Sequence, residues 1–492
     1  MDELKICYVA SEVVPFAKTG GLADVAGALP VAVKELDQDI RVMMPKYKSI
    51  NERKFVLREV IRLKEVPVEM GGQLLMATGK TAFLPDSKVH VYFLYTPNYF
   101  DQKDLYVDSE TGKDFEDNAE RFASFSKAVL ETLKLLYWQP DIIHCNDWQT
   151  ALIPFYLKTL HKDDEFFRNT RTVLTIHNLA YQGNFPLEKA QKVDIPPEYI
   201  APGKELEFYG KLNFLKGGIL FADVINTVSK KYAEEIVSDP EYSCGFDKIL
   251  ETRKADLHGI LNGADYTNWN PETDNLITAN YSKNELEKKV LNKKQLCKVN
   301  RLEFSEETPL IGMISRLADQ KGFDLIAQAA EELLSLDLQL VILGTGDPRY
   351  HKLLEQLAKK FPKKLAINLR FDNKLAHLIE AGADMFLMPS KYEPCGLNQI
   401  YSLKYGTVPI VRETGGLADT VQNFDPKTGK GNGFTFKEYK VEAMIDAIKR
   451  ALEVFQDKKT WRHLQETGMD ADFSWQRSAL EYIELYKKAL QK

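Results

Sequence analysis

The sequence has few of the features that mark membrane, secreted or zinc-binding proteins. No apolar run approaches the roughly 20 residues that a helix needs to cross a bilayer, which argues against a membrane span. Only five cysteines occur among 492 residues, without any CxxC spacing. An odd, scattered set favours free thiols in a reducing compartment over a disulfide framework or a zinc site. The first residues resemble neither a secretory signal nor a transit peptide, so we expect a cytoplasmic protein.

The sequence also lacks an excess of positive charge and the short motifs of several enzyme classes. Its net charge is −6 and its isoelectric point is near 5.9, so bulk charge does not favour nucleic acid or an anionic membrane as a partner. It contains no Walker A motif, no HExxH and no GxSxG. Two DxD triplets, Asp37/Asp39 and Asp470/Asp472, fall in predicted turns, so we expect no metal site and no cofactor. A phosphate-bearing ligand must then be held by local cations and backbone amides.

What the sequence does contain is an alternation of short apolar strands and helical stretches. Runs such as KICYVASE, DIRVMMP and DIIHCND read as buried strands, and a second series begins at LIGMISR. Strands this continuously apolar are typical of parallel sheets covered by helices on both faces. A chain of 492 residues is too long for one hydrophobic core. We therefore predict an α/β protein with two doubly wound, Rossmann-like domains and a deep cleft between them.

A stretch rich in Gly, Asn, Asp and Pro, HGILNGADYTNWNPETDN, marks the predicted domain boundary. We assign residues 1–258 to an N-terminal domain and 259–471 to a C-terminal domain, with a final helix of about 472–492 that packs back on the first. Ligands of such sheets bind beyond the carboxyl ends of the strands, at helix N-termini. The loops after the predicted strands are therefore the places to look for chemistry.

One six-residue sequence, TGGLAD, occurs twice, after Lys18 and after Glu413, each time between a predicted strand and a predicted helix. Paired glycines let a ligand approach the backbone closely, and a helix N-terminus offers free N–H groups to an anion. Lys18 adds an ammonium group to the first copy, whereas the second has Glu413 at the matching place. Only the first copy is predicted to clamp a phosphate, and the alternative is a tight turn with a solvated lysine.

Two loops of the second series carry charged residues. SRLADQKGFDL places Arg316 at a strand end and Lys321 before the next helix, where the two cations would suit a diphosphate; the alternative is a solvated loop. In PSKYEPCGLNQ, Glu393 could accept hydrogen bonds from sugar hydroxyls while the amides around Gly396 face a phosphate; the alternative is an acid at a helix N-terminus that the helix dipole stabilises. Cys395 has no evident histidine partner and is not expected to act as a nucleophile.

Two loops of the first series carry groups typical of sugar binding. TIHNLAYQG ends a strand with His177 and Asn178 and continues into an aromatic glycine turn. HCNDW ends another strand with Asp147 and Trp148. By itself His177 is more often a structural histidine than a catalyst. Together, the amides, acids and aromatic rings indicate a carbohydrate ligand.

These stretches, taken together and in this order, resemble the glycogen and starch synthase family, which comprises retaining glycosyltransferases with the GT-B fold. The resemblance extends over nearly the whole chain and includes SEVVPFAKTGGLADVAGALP, NDW, TIHNLAYQG, ILNGAD, SRLADQKGFDL, GTGD and PSKYEPCGLNQIYSLKYGTVPIVRETGGLADTV. It implies a GT-B fold and a bacterial type of enzyme. It also implies ADP-glucose or UDP-glucose as the donor and an α-1,4-glucan as the acceptor.

The resemblance further implies roles for individual residues. The catalytic set comprises Glu393, Arg316, Lys321 and His177. The donor-binding set comprises Lys18, Gly20, Gly21, Asn262, Phe371, Cys395, Gly396, Leu397, Asn398 and Tyr401. The acceptor-binding set comprises Glu12, Asp24, Asp147 and Asn178. In this scheme the nucleotide belongs to the C-terminal domain, with Phe371 against its base, and the glucan belongs mostly to the N-terminal domain.

The sequence departs from the wider family pattern at four places. Tyr401 stands where related retaining transferases carry a second glutamate, and Asn398 replaces a threonine near the phosphate. Gln149 follows NDW where histidine is common, and YSCGFD replaces a glycine-rich segment.

The expected activity is transfer of glucose from ADP-glucose to the non-reducing end of an α-1,4-glucan with retention of configuration. One alternative is a retaining glucosyltransferase of the same fold that uses UDP-glucose or another acceptor. The other is a glucan-binding pseudoenzyme.

Overall fold

The computed structural model describes residues 3–492, so residues 1 and 2 of the predicted N-terminal domain lie outside the described residues. The chain divides into two compact units. Unit 1 extends to Val228 and also includes Ala233–Gly263 and Trp475–Lys492, whereas unit 2 comprises Ser229–Tyr232 and Ala264–Ser474. Among residues 3–492, none of the helices combines the length and the apolar character that a membrane span requires.

A large mixed sheet lies at the centre of unit 1. The strands of this unit are β1 Lys5–Val9, β2 Asp39–Pro45, β3 Arg58–Glu59, β4 Val66–Met70, β5 Gln73–Phe83, β6 His90–Tyr95, β7 Ile142–Asn146, β8 Arg171–Ile176, β9 Asn184–Phe185, β10 Glu207–Phe208, β11 Lys211–Asn213, β12 Val224–Thr227 and β13 Leu257–Gly259. The large sheet has the order β13-β12-β8-β7-β1-β2-β6-β5-β3, with β4 paired to β5. It is parallel from β13 to β6 and antiparallel beyond, while β10-β11-β9 form a small separate sheet.

Helices cover both faces of this sheet. They are α1 Gly21–Glu35, α2 Asn118–Leu135, α3 Leu152–Lys158, α4 Lys189–Lys192, α5 Phe214–Phe221, α6 Lys230–Ser238 (of which the residues up to Tyr232 belong to unit 2), α7 Pro240–Ser243, α8 Asp247–Thr252 and, at the end of the chain, α17 Trp475–Leu490. Short 3₁₀ turns occur at Ile61–Leu63, Trp148–Thr150, Glu165–Phe167, Pro197–Tyr199 and Lys254–Asp256.

The central strands are buried because their side chains are apolar on both faces. Ile6 and Val9 of β1 and Ile142 and Ile143 of β7 have no exposed surface, and Ile6 lies opposite Ile142 in the parallel register. The runs that read as strands in the sequence are strands in the structure, which confirms the doubly wound prediction.

The sequence prediction omitted the antiparallel edge formed by β3, β4 and β5. This edge is partly solvated, with Leu74 and Met76 exposed, so its strands lack the continuous apolar run of the buried ones. A signal was present nevertheless. Gly71 and Gly72, with φ of +58° and +74°, join β4 to β5, and a Gly-Gly pair between apolar residues predicts a hairpin.

Helix α17 packs on the unit 1 sheet through buried tyrosines. The Tyr486 hydroxyl lies 2.8 Å from Nδ1 of His144 on β7, and Nδ2 of Asn226 on β12 donates to the Tyr482 hydroxyl at 3.1 Å. The last helix of the chain thus covers buried polar groups of the first unit.

Unit 2 contains a second, entirely parallel sheet. Its strands are β14 Leu310–Ile314, β15 Gln339–Leu343, β16 Leu365–Asn368, β17 Met385–Met388, β18 Val408–Arg412 and β19 Phe434–Phe436, in the order β16-β15-β14-β17-β18-β19. Its helices are α9 Lys289–Asn300, α10 Phe323–Ser335, α11 Pro348–Lys360, α12 Asn373–Gly382, α13 Asn398–Lys404, α14 Gly415–Thr420, α15 Val441–Gln456 and α16 Lys458–Met469. 3₁₀ turns occur at Lys283–Lys288 and Asp319–Lys321. Apolar side chains of the helices pack with those of the strands in the core.

In the parallel part of each sheet there is one point at which successive strands stop being added on one side and are added on the other. In unit 1, the chain proceeds from β1 to β2 on one side and later returns to β7 on the other. In unit 2, the same change occurs between β14 and β17. Open α/β sheets bind ligands beyond the carboxyl ends of the strands at such a switch point. The loops after β1, β7, β14 and β17 therefore define where a site is expected.

Candidate active site

A cavity of about 160 Å³ opens at the switch point of unit 2. It is formed by the ends of β14 and β17 and by the loops that follow them. The residues of the predicted set that line it are Lys321, Glu393, Gly396, Leu397 and Asn398. Sequence segments far apart in the chain thus meet in one cavity.

An ion pair lies inside this cavity. Nζ of Lys321 is 2.5 Å from Oε2 of Glu393, and the Ser390 hydroxyl donates to the same oxygen at 3.2 Å. Glu393 is only 6% exposed, so its charge needs these partners. An anionic ligand that entered the cavity would compete with the carboxylate for the Lys321 ammonium.

Arg316, two residues after the end of β14, extends into solvent. Within the described residues its side chain makes one long hydrogen bond, from Nη2 to Oε1 of Gln320 at 3.4 Å. The turn that carries it is nevertheless fixed, because Gly322 has φ +79° and a Cβ there would lie 2.2 Å from the carbonyl oxygen of Pro389. The guanidinium can therefore reorient on a rigid base.

The GTGD segment after β15 supports the Arg316 loop. A Cβ at Gly344 would lie 1.9 Å from the carbonyl oxygen of Ser315, and one at Gly346 would lie 2.4 Å from that of Leu317. The two glycines therefore allow close packing of two backbones, which accounts for the GxG pattern without a dinucleotide.

The two TGGLAD copies have different surroundings. In the second copy, a Cβ at Gly415 would lie 2.0 Å from the carbonyl oxygen of Glu393, and one at Gly416 would lie 2.0 Å from that of Cys395. In the first copy, apart from the adjoining backbone, a Cβ at Gly21 would meet no atom of residues 3–492 within 4 Å, and one at Gly20 only Oε1 of Glu12 at 4.0 Å. The second copy thus supports the Glu393 loop, and the first leaves space beside its backbone.

Three predicted donor residues of unit 2 have other surroundings. The Tyr401 ring is 8% exposed and stacks on Trp269 at 4.4 Å, and Trp269 stacks on His377 at 3.7 Å. Cys395 is buried. Phe371, predicted to lie against the nucleotide base, is 89% exposed in the loop between β16 and α12. Its ring faces solvent and is therefore accessible to a ligand.

In unit 1, the loop after β1 is held by Glu12. Its carboxylate accepts hydrogen bonds from the Thr19 amide, the Thr19 hydroxyl (3.0 Å), the Gly20 amide (3.1 Å) and the Tyr106 hydroxyl (3.3 Å). Glu12 therefore occupies amides at the N-terminus of α1 that the sequence assigned to a phosphate. Its own predicted contact with the acceptor stays a prediction.

Lys18 lies on the exposed side of the same loop. Its Nζ is 2.7 Å and 2.8 Å from the two carboxylate oxygens of Asp24 in the first turn of α1. More than half of the Lys18 side chain is exposed, and such surface pairs contribute little stability. The ammonium can therefore leave Asp24 for a more strongly charged ligand.

Asp147 follows β7 in a strained conformation, with φ +55°. Its Oδ1 accepts a hydrogen bond from the His177 amide at 2.7 Å. Burial raises the pKa of Asp147 to about 7, an effect that its hydrogen bonds from the amides of His177 and Asn178 oppose. Asp147 thus joins the loop after β7 to the loop after β8.

The side chain of His177 contacts the same motif. Its Nε2 lies 2.9 Å from Oδ1 of Asn146, the last residue of β7. Burial lowers the pKa of His177 to about 3, so the imidazole is neutral near pH 7. A neutral imidazole can exchange hydrogen bonds with a sugar hydroxyl.

Two predicted amide residues complete the unit 1 loops. Oδ1 of Asn178 accepts from the Ala180 amide at 3.0 Å and so shapes the turn. Asn262 is buried, and its Oδ1 has no hydrogen-bond partner among residues 3–492. A buried acceptor without a partner is costly unless a ligand supplies the donor, which fits the predicted sugar contact of Asn262.

Sequence reasoning missed several residues that hold the predicted ones. Asn146 and Ser390 contact His177 and Glu393 directly, and Trp269 stacks on Tyr401. Asn146 stands next to Asp147 in the quoted HCNDW motif, so its place at a strand end was an available signal. The sequence does not indicate the Trp269 contact, because the two rings are far apart in the chain.

Comparisons with known proteins agree along the whole chain. A family profile described as the starch synthase catalytic domain matches residues 5–252, and one described as glycosyl transferases group 1 matches residues 298–467. The glycogen synthase of Thermosipho africanus is 48% identical over 494 residues, with 99% of this chain and all of the relative covered. The structure of the starch synthase IV catalytic domain from Arabidopsis thaliana, bound to ADP and acarbose, matches with a TM-score of 0.89 and 32% identity over 100% of both chains.

A more distant structure matches in fold alone. The sucrose-phosphate synthase of Thermosynechococcus elongatus has a TM-score of 0.60 at 16% identity, over 99% of this chain and 100% of its own.

Two Rossmann-like units, each with polar loops at its switch point, define a glycosyltransferase with the GT-B fold. The family profiles and the relatives then narrow this class. The chain belongs to the glycogen and starch synthase family, and it is a hexosyltransferase. The family, the fold class and the enzyme class predicted from the sequence are thereby confirmed.

Proposed function

We propose that this chain transfers glucose from ADP-glucose to the 4-hydroxyl at the non-reducing end of an α-1,4-glucan, with retention of the anomeric configuration. The observation that carries the donor assignment is the unit 2 cavity, where Lys321 and Glu393 meet. Two comparisons support the substrates: the relatives are glycogen synthases, and the starch synthase IV structure is bound to ADP.

The chemistry of the cavity suits a departing diphosphate. As the bond to glucose breaks, negative charge accumulates on the leaving oxygens, and preorganised cations lower the energy of that transition state. Lys321 supplies an ammonium inside the cavity, and the exposed Arg316 supplies a guanidinium that can turn onto the phosphates. When a diphosphate binds the Lys321 ammonium in place of Glu393, the Glu393 carboxylate becomes free to accept hydrogen bonds from hydroxyls of the glucose ring.

The loops of unit 1 supply the remaining contacts in this proposal. Lys18 exchanges Asp24 for a phosphate, and the space beside Gly21 lets the ligand approach the backbone. His177 and Asn262 contact hydroxyls of the glucose unit. We assign the glucan mainly to unit 1, through Asp24, Asp147, Asn178 and Glu12, and the nucleotide to unit 2, with Phe371 against the base.

Retention of configuration follows from attack on the same face as the leaving group. In this proposal Glu393 accepts hydrogen bonds from the glucose hydroxyls and the Cys395 thiol is buried, so we assign neither of them as a covalent nucleophile. In the proposed path, the departing phosphate oxygen takes the proton of the acceptor hydroxyl. Lys321 and Arg316 take the place of a divalent metal in this path.

The five free cysteines, four of them buried, favour a reducing cytoplasm as the place of action.

The test is turnover with ADP-glucose and with UDP-glucose on a glycogen primer, each with and without a chelator. We expect extension of the primer with ADP-glucose, insensitive to the chelator. Lys321→Met, which keeps the length of the side chain and removes its charge, should bind glycogen normally and lose turnover.

Each part of the proposal can fail separately in this experiment. A preference for UDP-glucose would overturn the donor assignment, and loss of activity with the chelator would overturn the metal-free path. Glycogen binding without turnover from either donor would identify a glucan-binding pseudoenzyme. Full activity of Lys321→Met would overturn the role of the unit 2 cavity.

A further inference from the structure

Asn146 is a fully buried amide at the switch point of unit 1. It ends β7 and has no exposed surface. Its side chain makes three hydrogen bonds: Nδ2 to the carbonyl oxygen of Val9 at 3.0 Å, and Oδ1 with the Tyr8 hydroxyl at 3.0 Å and Nε2 of His177 at 2.9 Å. Every polar atom of the Asn146 side chain is therefore in use.

These contacts fix which way the amide points. The carbonyl oxygen of Val9 can only accept, so the atom that faces it must be the amide nitrogen of Asn146. The amide oxygen then faces Tyr8 and His177. An amide oxygen carries no hydrogen, so the hydrogen of the His177 contact must be on Nε2. In the neutral imidazole, Nδ1 is consequently left with a lone pair.

We infer that Asn146 is a positioning residue that holds His177 as the Nε2–H tautomer, so that Nδ1 can accept a hydrogen bond from a substrate hydroxyl. This inference rests on the proposed function, in which His177 contacts the glucose unit. Among residues 3–492, no hydrogen bond from a protein group to Nδ1 of His177 is found. The acceptor atom is thus available to a ligand.

The neighbouring Asp147 holds the main chain of His177. Its carboxylate accepts from the His177 main-chain amide, while Asn146 accepts from the side chain. Two consecutive residues after the switch point thus determine both the backbone position and the ring orientation of one histidine. Such partners commonly determine which nitrogen of a functional histidine is protonated.

Burial keeps His177 neutral, because it lowers the pKa of the imidazole to about 3. The titratable groups that face this residue are His144, Asp147, which accepts from its main-chain amide, and Tyr8, which shares the Asn146 oxygen with it; Glu12 acts in turn on Asp147. His144 is itself buried, and burial lowers its pKa to about 3. Protonation of His177 would place a hydrogen on Nδ1 and remove the acceptor. A carboxylate in place of the Asn146 amide would favour that protonated state.

The direct test is nitrogen NMR of the histidine side chains in the full-length protein, with the His177 signals assigned by their absence in His177→Gln. In the wild type, we expect Nε2 to show the shift of a protonated nitrogen and Nδ1 that of a bare one. In Asn146→Ala, the preference for this tautomer should be lost. This readout does not depend on turnover.

The kinetic test compares Asn146→Ala with Asn226→Ala. Asn226, on β12, is an equally buried amide, and it contacts Thr175 and Tyr482 instead of His177. We expect Asn146→Ala to lower kcat by roughly 10- to 100-fold and Asn226→Ala to keep wild-type kcat in its folded fraction. Asn146→Asp should add an acidic limb to the pH profile of kcat/KM, so that activity falls as the pH is lowered through the raised pKa of His177.

Two results would overturn the inference. One is a wild-type spectrum with the hydrogen on Nδ1. The other is an equal loss of activity in Asn146→Ala and Asn226→Ala, with no acidic limb in Asn146→Asp, which would assign Asn146 to packing alone. Failure of the proposed function looks different, because the wild type would then transfer glucose from neither donor while its tautomer remained as expected.

Discussion

At the scale of single residues, several predicted site groups are held by other protein groups. Glu12 and Asp147 were predicted as acceptor-binding acids, but their carboxylates also accept hydrogen bonds from the amides of Gly20 and His177. These partners lie on loops that only the fold brings together. The sequence could therefore indicate acids at strand ends, but not which of them hold loops.

Arg316 is the residue whose role can be tested with least structural disturbance. It is exposed and makes one long hydrogen bond within the described residues, so Arg316→Ala should leave the stability of unit 2 nearly unchanged. Loss of one charge-stabilising donor costs about 3 kcal/mol of transition-state stabilisation, or roughly 100-fold in kcat. Steady-state kinetics with ADP-glucose and glycogen measures this loss.

The matched control is Arg462→Ala, which removes an exposed arginine of α16 that pairs with Glu466 at 2.8 Å. It should keep wild-type kcat and KM. If Arg316→Ala also kept at least a third of the wild-type kcat, the leaving-group role of Arg316 would be wrong.

At the scale of elements, the two TGGLAD copies show how one local sequence serves two purposes. Both open a helix after a strand, as the sequence predicted. The copies differ in what lies beside their glycines, which is the EPCG backbone in one case and open space in the other. Local sequence specifies the turn, but only the tertiary fold determines what faces it.

This difference predicts opposite effects for the same substitution. Gly416→Ala would place a methyl group 2.0 Å from the carbonyl oxygen of Cys395, so we expect a loss of roughly 2 kcal/mol or more in the free energy of unfolding. In Gly21→Ala the added methyl group would meet no atom of the described residues within 4 Å beyond the adjoining backbone, so the variant should fold normally. Its methyl group would instead obstruct the donor and raise the KM for ADP-glucose.

Thermal unfolding of the two variants tests the packing role of Gly416, and their KM for ADP-glucose tests the approach of the donor to Gly21. A stable Gly416→Ala variant would contradict the packing role of the second copy. A Gly21→Ala variant with wild-type KM for the donor would argue that no ligand approaches the first copy.

At the scale of the whole molecule, the two-domain architecture could be predicted because buried parallel strands leave long apolar runs in the sequence. The partly solvated edge of β3, β4 and β5 was missed because buried and solvent-exposed side chains alternate along its strands, so they leave no continuous apolar run in the sequence. The buried polar groups of unit 1 were also missed. His144 and Asn226 find partners in Tyr486 and Tyr482 of α17, which local sequence patterns do not connect.

Buried histidines give unit 1 a defined response to acid. Burial lowers the pKa of His144 and of His177 to about 3, whereas an unfolded histidine titrates near 6.5. Below pH ~6.5 the unfolded chain binds more protons, so each histidine lowers the free energy of unfolding by about 1.4 kcal/mol per pH unit. Asp147 has the opposite effect between about pH 4 and 7. Because burial raises its pKa to about 7, the folded chain binds more protons there, and this group raises the free energy of unfolding as the pH falls.

The contribution of one histidine can be isolated with His144→Gln. Between pH 6 and pH 4, its free energy of unfolding should fall less steeply than that of the wild type, by about 1.4 kcal/mol per pH unit. Hydrogen exchange of the β7 and β8 amides reports this for unit 1 alone. An unchanged slope in His144→Gln would contradict a neutral buried His144.

The position of α17 in the chain has a consequence for synthesis on the ribosome. The sheet of unit 1 is made first, but the tyrosines that cover His144 and Asn226 are translated only after all of unit 2. At ~5–20 residues per second, that leaves roughly ten seconds or more in which the nascent sheet exposes this surface. We therefore expect a nascent chain that lacks its last helix to be the form that chaperones bind.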